Sequence, residues 1–378
     1  MSSEILIDRE EFAGTLKTLG QCAVTDKAIP MSGYVRITTR GDRMKVEART
    51  ELASMRIYTG LLKDSCEQSF CVGYKELASI VSLVKDDCVR LIPEDECMRL
   101  RIRHESGSMS LPCAPASDFP DFTAPTDSIT AAATLPSRLF ESWMSVAGRF
   151  SATDDLRPVL NGMHIHMEGD TVTVSASDGH LLFNDTETVP GQDCRFDIIV
   201  GSRAFSAIAS VTGGADTFVL KTDQSKAWFV SGSTTLCVTL TEGRFPNVKA
   251  VIPASSPMHV TLDREALAGA MKRIGVIVKM ATPSLKLTFG DDGILSIEHD
   301  DADFAQSVCE TLRYSSDGEP AAGFRIAFSY KCLMKIMEAV SSGCLEMLLT
   351  AADKAAVFRE SDVRPDKTLL LMPLILTD

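Results

Sequence analysis

The sequence predicts an α+β fold of three similar domains, each with two helices packed on antiparallel sheets. Three observations carry that prediction. One helical segment recurs at long spacing, a second occurs once in each third, and the stretches between them alternate apolar and polar residues with period two.

Residues 8–17 match residues 263–272 without a gap, and apolar side chains fall at the same helical positions. Residues 135–144 repeat that apolar spacing with weaker identity. The polar residues that open these segments suit helix N-caps, where a side-chain oxygen accepts from an otherwise unpaired amide of the first turn. The second segment appears at 72–80, 200–208 and 328–336, each time after a short apolar strand. Residues 98–103, 172–176 and 285–289 alternate as strands with one buried and one wet face, and turns such as Asp291-Asp292-Gly293 separate such runs. Candidate linkers near 120–128 and 253–257 set domain boundaries at 1–125, 126–253 and 254–378. Each third has the size of one domain.

Composition limits the function classes. The chain has 378 residues, 45% hydrophobic and 24% charged, the balance of a globular protein with ample core. No apolar stretch approaches the roughly 20 residues of a membrane helix, and residues 1–12 do not read as a signal peptide. The expectation is a cytoplasmic protein with no membrane partner. Eleven cysteines lie scattered with no C-x-x-C pair, which reads as small buried hydrophobes in a reducing compartment. A net charge of −13 argues against a wholly basic DNA-binding surface. Exposed charges more than about 8–10 Å apart are screened, however, so an acidic chain retains room for one basic face.

Several segments carry a resemblance. They are Ala116-Ser117-Asp118-Phe119-Pro120, Leu156-Arg157-Pro158-Val159-Leu160-Asn161-Gly162-Met163 and Ser177-Asp178-Gly179-His180. Glu242-Gly243-Arg244-Phe245-Pro246, Val251-Ile252-Pro253 and Leu371-Met372-Pro373-Leu374 follow. In order and spacing they resemble the bacterial DNA polymerase III beta subunits, the beta sliding clamps, along nearly the whole chain. The resemblance implies the DNA clamp fold: a head-to-tail homodimer closing six domains into a ring, with helices lining the hole. It implies a processivity factor that encircles double-stranded DNA without reading its sequence, with no catalytic residue, cofactor or metal. Ring opening would fall to a separate loader ATPase. Twelve helices about 9 Å apart make a circle about 34 Å across, which leaves a hole of roughly 24 Å inside the helix radius. A duplex fits.

The helical segments and their neighbours supply cations for such a wall. Lys17, Lys27, Lys75, Arg138 and Arg149 are expected to face DNA from the first half of the chain. Arg157, Arg203, Lys272, Arg273, Lys331 and Lys335 continue the set. A weakly basic wall attracts phosphates without fixing them, which sliding requires.

Family members dock short linear motifs of replicative polymerase, clamp loader and repair proteins between the second and third domains. Carried over by position, that pocket comprises Leu160, Ser177, Gly179, His180 and Leu182, with Pro246 and Val251. The run Leu371, Met372, Pro373 and Leu374 completes it. The resemblance also implies a dimer seam, with Arg101, Arg103, Met109 and Leu111 of one copy against Val276, Ile277, Asp300 and Asp303 of the other. Departures from the family pattern are Asp26 in place of an arginine facing DNA, Asp154 in place of a polar DNA-contacting residue, and Leu181 in place of the arginine after the pocket histidine. Thr282, Ser329 and Cys332 replace larger or more polar pocket residues. Individual DNA contacts and motif preference are thereby in doubt.

Two other readings stay open at this point. Clamp-like domains could serve as a non-ring scaffold that docks peptides alone. An enzyme is the rival from another class: His164 and His166 lie two apart on a strand, but no third metal ligand is identifiable. Asp178 and His180 lack a nucleophile elbow, and no G-x-x-x-x-G-K-[ST] or G-x-G-x-x-G string supports nucleotide hydrolysis.

Overall fold

The computed structural model describes residues 4–26, 29, 31–94, 96–125, 129–154, 156–278, 284–301, 306–318, 322–360 and 362–375. Among them run helices α1 (Arg9–Leu19), α2 (Tyr74–Leu83), α3 (Ser137–Phe150), α4 (Phe205–Thr212), α5 (Arg264–Ile277) and α6 (Tyr330–Ala339), all separated by antiparallel strands. The expected caps form. Asp8 Oδ1 accepts from the Glu11 amide at 2.8 Å to start α1, and Asp263 Oδ1 accepts from the Ala266 amide at 2.7 Å to start α5. The second helix of each third begins a few residues later than the periodicity suggests. Val72 still belongs to a ladder, opposite Val35 and Cys113, and residues 202–204 form a 3-10 turn before α4.

The chain gathers into two compact units, Met1–Ser142 with Gln192–Thr241, and Trp143–Gly191 with Glu242–Asp378. In the first unit, Ile5–Asp8, Cys88–Glu94, Arg99–His104 and Gly107–Pro115 pair in that order. The long strand Ala53–Gly73 carries Tyr34–Arg49 along its length and Thr234–Thr239 at its start, and Lys226–Ser231, Thr217–Thr222 and Ala131–Pro136 continue the sheet. Helix α1 packs beside α2 and α4. Phe140 meets Phe218 edge-on at 5.0 Å and Phe229 at 5.8 Å in the core. Glu47 is buried between Arg36 and Arg56, at 2.8 Å from each. Burial alone would raise its carboxyl, but hydrogen bonds from Arg36 and Arg56 and the charges of Arg36 and Lys45 hold it below the usual glutamate range.

In the second unit, Gly162–Glu168, Thr171–Ser177, Leu181–Thr188, Arg364–Leu371, Ala356–Glu360, Cys344–Leu349, Met258–Asp263 and Gln306–Gly318 follow one another across the sheet. Ile294–Asp301, Ser284–Phe289 and Arg325–Ser329 complete it beyond Gln306–Gly318. Helix α5 packs beside α6. The Trp143 indole donates to Asp185 Oδ2 at 2.8 Å, and Arg364 pairs with the same carboxylate. No helix among the described residues is long and apolar enough to cross a membrane. Burial pushes the Cys22 thiol up to about 12, and Cys71 and Cys237 are also buried. Cys309 and Cys344 are exposed, so the reading of every cysteine as core does not hold for them.

Candidate functional site

The pocket expected from the resemblance starts at a tight turn. Asp178 Oδ1 accepts from the amides of His180 and Leu181 at 2.9 and 2.7 Å. Ser177 Oγ donates to the Leu181 carbonyl at 2.7 Å and accepts from the Gly179 amide at 3.1 Å. Gly179 has φ +94°, and a Cβ there would stand 2.6 Å from Arg157 Nη1, so glycine alone admits both the turn and the guanidinium over it. The strand leaving the turn pairs with the last strand, Leu181 opposite Leu371 and Leu182 opposite Leu370. Beyond the ladder the Met372 amide donates to the His180 carbonyl at 2.8 Å. Ser177, Gly179, His180, Leu182, Leu371 and Met372 are thus drawn together by backbone pairing. Residues 243–246 approach from another side: a Cβ at Gly243 would stand 2.7 Å from Val159, and the Phe245 ring stacks on His164 at 4.9 Å, which places Pro246 next to them.

Only some of the apolar residues expected in the pocket offer surface to a partner. Leu160, Leu182 and Leu371 are buried. Leu182 belongs to a cluster with Leu348, Ala355, Val357 and Leu370, and Val248 and Ile252 pack over it half-buried. Val251, Met372 and Leu374 are the exposed apolar residues, at 55%, 41% and 37%. Pro246 and His180 are exposed and Pro373 is half-buried. Val248, Ile252, Leu348, Val357 and Leu370 are not among the expected pocket residues. Their strand alternation was visible, but which strand lies beside Leu182 is a long-range fact.

The cations divide into two sets. Arg149 pairs with Glu338 at 3.1 Å, Arg157 with Asp154 at 3.1 Å, and Lys335 with Asp178 at 3.7 Å. Arg273 holds Glu310 through two contacts of 2.7 Å. The hydrogen bond from Arg157 holds the Asp154 carboxyl below its usual range. Lys17, Lys75, Arg138, Lys272 and Lys331 are exposed and make no ion pair with a described residue. Arg203 is exposed and engaged in an interaction of its own. Lys27 lies outside the described residues. For Arg149, Arg157, Arg273 and Lys335, the neighbouring carboxylate reduces the field each offers to a phosphate.

Two strand edges stay open. Residues 107–112 pair with Arg99–His104 on one side, and residues 306–313 pair with Ile294–Asp301 on one side; among the described residues no strand covers the other side of either. Met109 is exposed on the first edge, Leu111 is half-buried there, and Arg101 beside it pairs with Glu94 at 2.9 Å while Arg103 stays exposed. Near the second edge, Val276 is 70% exposed, Ile277 is half-buried and Asp300 is exposed. Asp303 and Thr282 lie outside the described residues.

Residues 135–247 match the family profile described as DNA polymerase III beta subunit, central domain, and residues 249–374 match the C-terminal domain of the same subunit. The chain belongs to the DNA polymerase III beta subunit family. It is similar to the beta sliding clamp of Caulobacter vibrioides, 26% identical over 375 residues that span 96% of this chain and 98% of that one. The beta sliding clamp of Pseudomonas aeruginosa is 22% identical over 372 residues, 97% of this chain and 98% of its own. Among solved structures, the beta subunit of Thermotoga maritima shares the fold at a TM-score of 0.89 with 18% identity, covering 99% of this chain and 100% of that one. The sliding clamp of Pseudomonas aeruginosa bound to griselimycin does so at 0.90 with 19% identity, covering 99% of each. The DNA clamp fold that the resemblance implies is therefore the fold of this chain. Among the described residues no group of three His, Cys, Asp or Glu side chains is placed to hold a metal, and the His164 ring is stacked on Phe245.

Proposed function

We propose that the chain is a sliding clamp for DNA polymerase in which two copies close head to tail around duplex DNA. Each copy contributes three domains, 1–125, 126–253 and 254–378, a division supported by the profile boundaries at 135–247 and 249–374. The observation that carries the reading is the pair of open strand edges, one in the first third and one in the last, in a chain of this family. An uncovered edge invites strand addition, and head-to-tail addition that closes on itself makes a ring. Retention then comes from threading, with Lys17, Lys75, Arg138, Lys272 and Lys331 as the principal cations toward phosphates. The replicative polymerase, the clamp loader and repair proteins dock short motifs on the surface of Val251, Met372 and Leu374, with Val248 and Ile252 parting above the Leu182 cluster. The protein works in the cytoplasm and performs no chemistry of its own.

The test is topological. Clamp loaded on nicked circular DNA should stay bound through gel filtration and be lost when the circle is cut. Equal retention on circular and linear DNA would favour the peptide-docking scaffold instead.

A further inference from the structure

The two junctions between successive thirds follow one pairing rule. At the first, Leu236 lies opposite Met55; at the second, Leu369 lies opposite Phe183. These positions correspond. Leu236 and Leu369 are the hairpin partners of Phe229 and Phe358, which in turn lie opposite Leu220 and Met347, and those opposite Ala133 and Val260. The same walk in the first third runs Ile5, Leu91, Ile102 and ends on Met109. On the other side of the junction, Met55 and Phe183 lie opposite Ala48 and Ala176, each the last of three buried alternating residues on its strand. In the last third that row is Leu295, Ile297 and His299, and His299 lies opposite Val308. Met109 and Val308 are therefore the two positions left without their junction partner.

Hydrogen-bond parity agrees. The Cys113 amide donates to the Met98 carbonyl at 2.9 Å, so odd residues of that strand bond inward and the amides of Ser108 and Ser110 point to the open edge. The Tyr314 amide donates to the Gly293 carbonyl at 2.9 Å, which turns Ser307 and Cys309 outward on the other edge. Resting on the two-copy reading above, in which the seam between copies repeats the internal pairing with Met109 of one copy opposite Val308 of the other, we infer that Pro112 leaves this seam one hydrogen bond short. Ser108 then faces Cys309 and Ser110 faces Ser307. The internal junctions end on a further rung, Thr239 amide to Leu52 carbonyl at 2.9 Å and Met372 amide to His180 carbonyl at 2.8 Å. The corresponding position is Pro112, which has no amide hydrogen to give. The seam that must part is thereby the one with the shorter ladder.

Cross-linking reads the register. Ser108→Cys, oxidised with diamide, should give a covalent dimer with native Cys309, because facing residues lie about 5.5 Å apart at Cα, within disulfide reach. Ser110→Cys should not, since a diagonal neighbour sits about 7–8 Å away. Met109→Cys with Val308→Cys in a Cys309→Ser background repeats the test should Ser108→Cys fold poorly. A cross-link from Ser110→Cys in place of Ser108→Cys overturns the register. No cross-link from either design in a protein that sediments as a dimer overturns strand pairing while the ring reading stands; a protein that sediments only as monomer overturns both. For the missing rung, Pro112→Ala should slow subunit exchange about threefold or more, and unchanged or faster exchange removes Pro112 from the account.

Discussion

The amide of Met372 donates to the carbonyl of His180 at 2.8 Å, fastening the C-terminal run to the turn after Ser177. That clip fixes the exposed side of the Leu182 cluster, where Met372 and Val251 stand open to solvent. Because both are exposed, replacing them separates docking from folding.

Val251→Ser with Met372→Ser should weaken binding of a short Leu- and Phe-bearing peptide about tenfold or more, from the apolar area no longer buried. Fluorescence anisotropy measures it. The melting curve should move little, as surface changes usually stay within about 0.5 kcal/mol. An unchanged Kd would remove this surface from partner docking.

Neighbouring cations on α5 should behave differently. Lys272→Ala should reduce the slope of log affinity against log salt for duplex DNA by about 0.9, the loss of one phosphate contact. Arg273→Ala should change it less, since Glu310 already holds that guanidinium through two contacts of 2.7 Å. Equal effects would mean that the ion pair breaks on DNA.

Acid should unfold the first unit partly through Glu47. Its folded carboxyl lies below the ordinary value of 4.5, so its stabilisation is fully present above that pH and is lost as pH falls through the folded value. Glu47→Gln leaves Arg36 and Arg56 without their shared anion, at a cost of about 3–5 kcal/mol near neutrality. The variant's loss relative to the parent, followed by denaturant melts, should shrink toward pH 3. A constant gap between pH 7 and pH 3 would contradict the linkage.

Core aromatics set a second stability scale. Phe140→Ala, which vacates contacts with Phe218 and Phe229, should cost about 3–5 kcal/mol. Trp143→Phe keeps most of its volume but removes the indole donor to Asp185, and should cost about 1–3 kcal/mol by leaving a buried acceptor short of a partner. Burial already pushes the Asp185 carboxyl above its usual range despite Trp143 and Arg364. Chemical denaturation of both variants tests the order.

The sequence by itself determined the repeated helix pairs, their Asp8 and Asp263 caps, the alternating strands and turns such as Asp291-Asp292-Gly293. Each depends on residues within a few positions of one another, so burial periodicity and turn chemistry are written locally. Only the tertiary structure decided that Leu348, Val357 and Leu370 lie beside Leu182, that Leu160 and Leu371 are covered, and that Glu310 neutralises Arg273. Those pairings join residues from separate strands and helices. Local pattern says which face of a strand is buried, whereas the neighbour across that face follows from strand order and register, which the whole chain settles together.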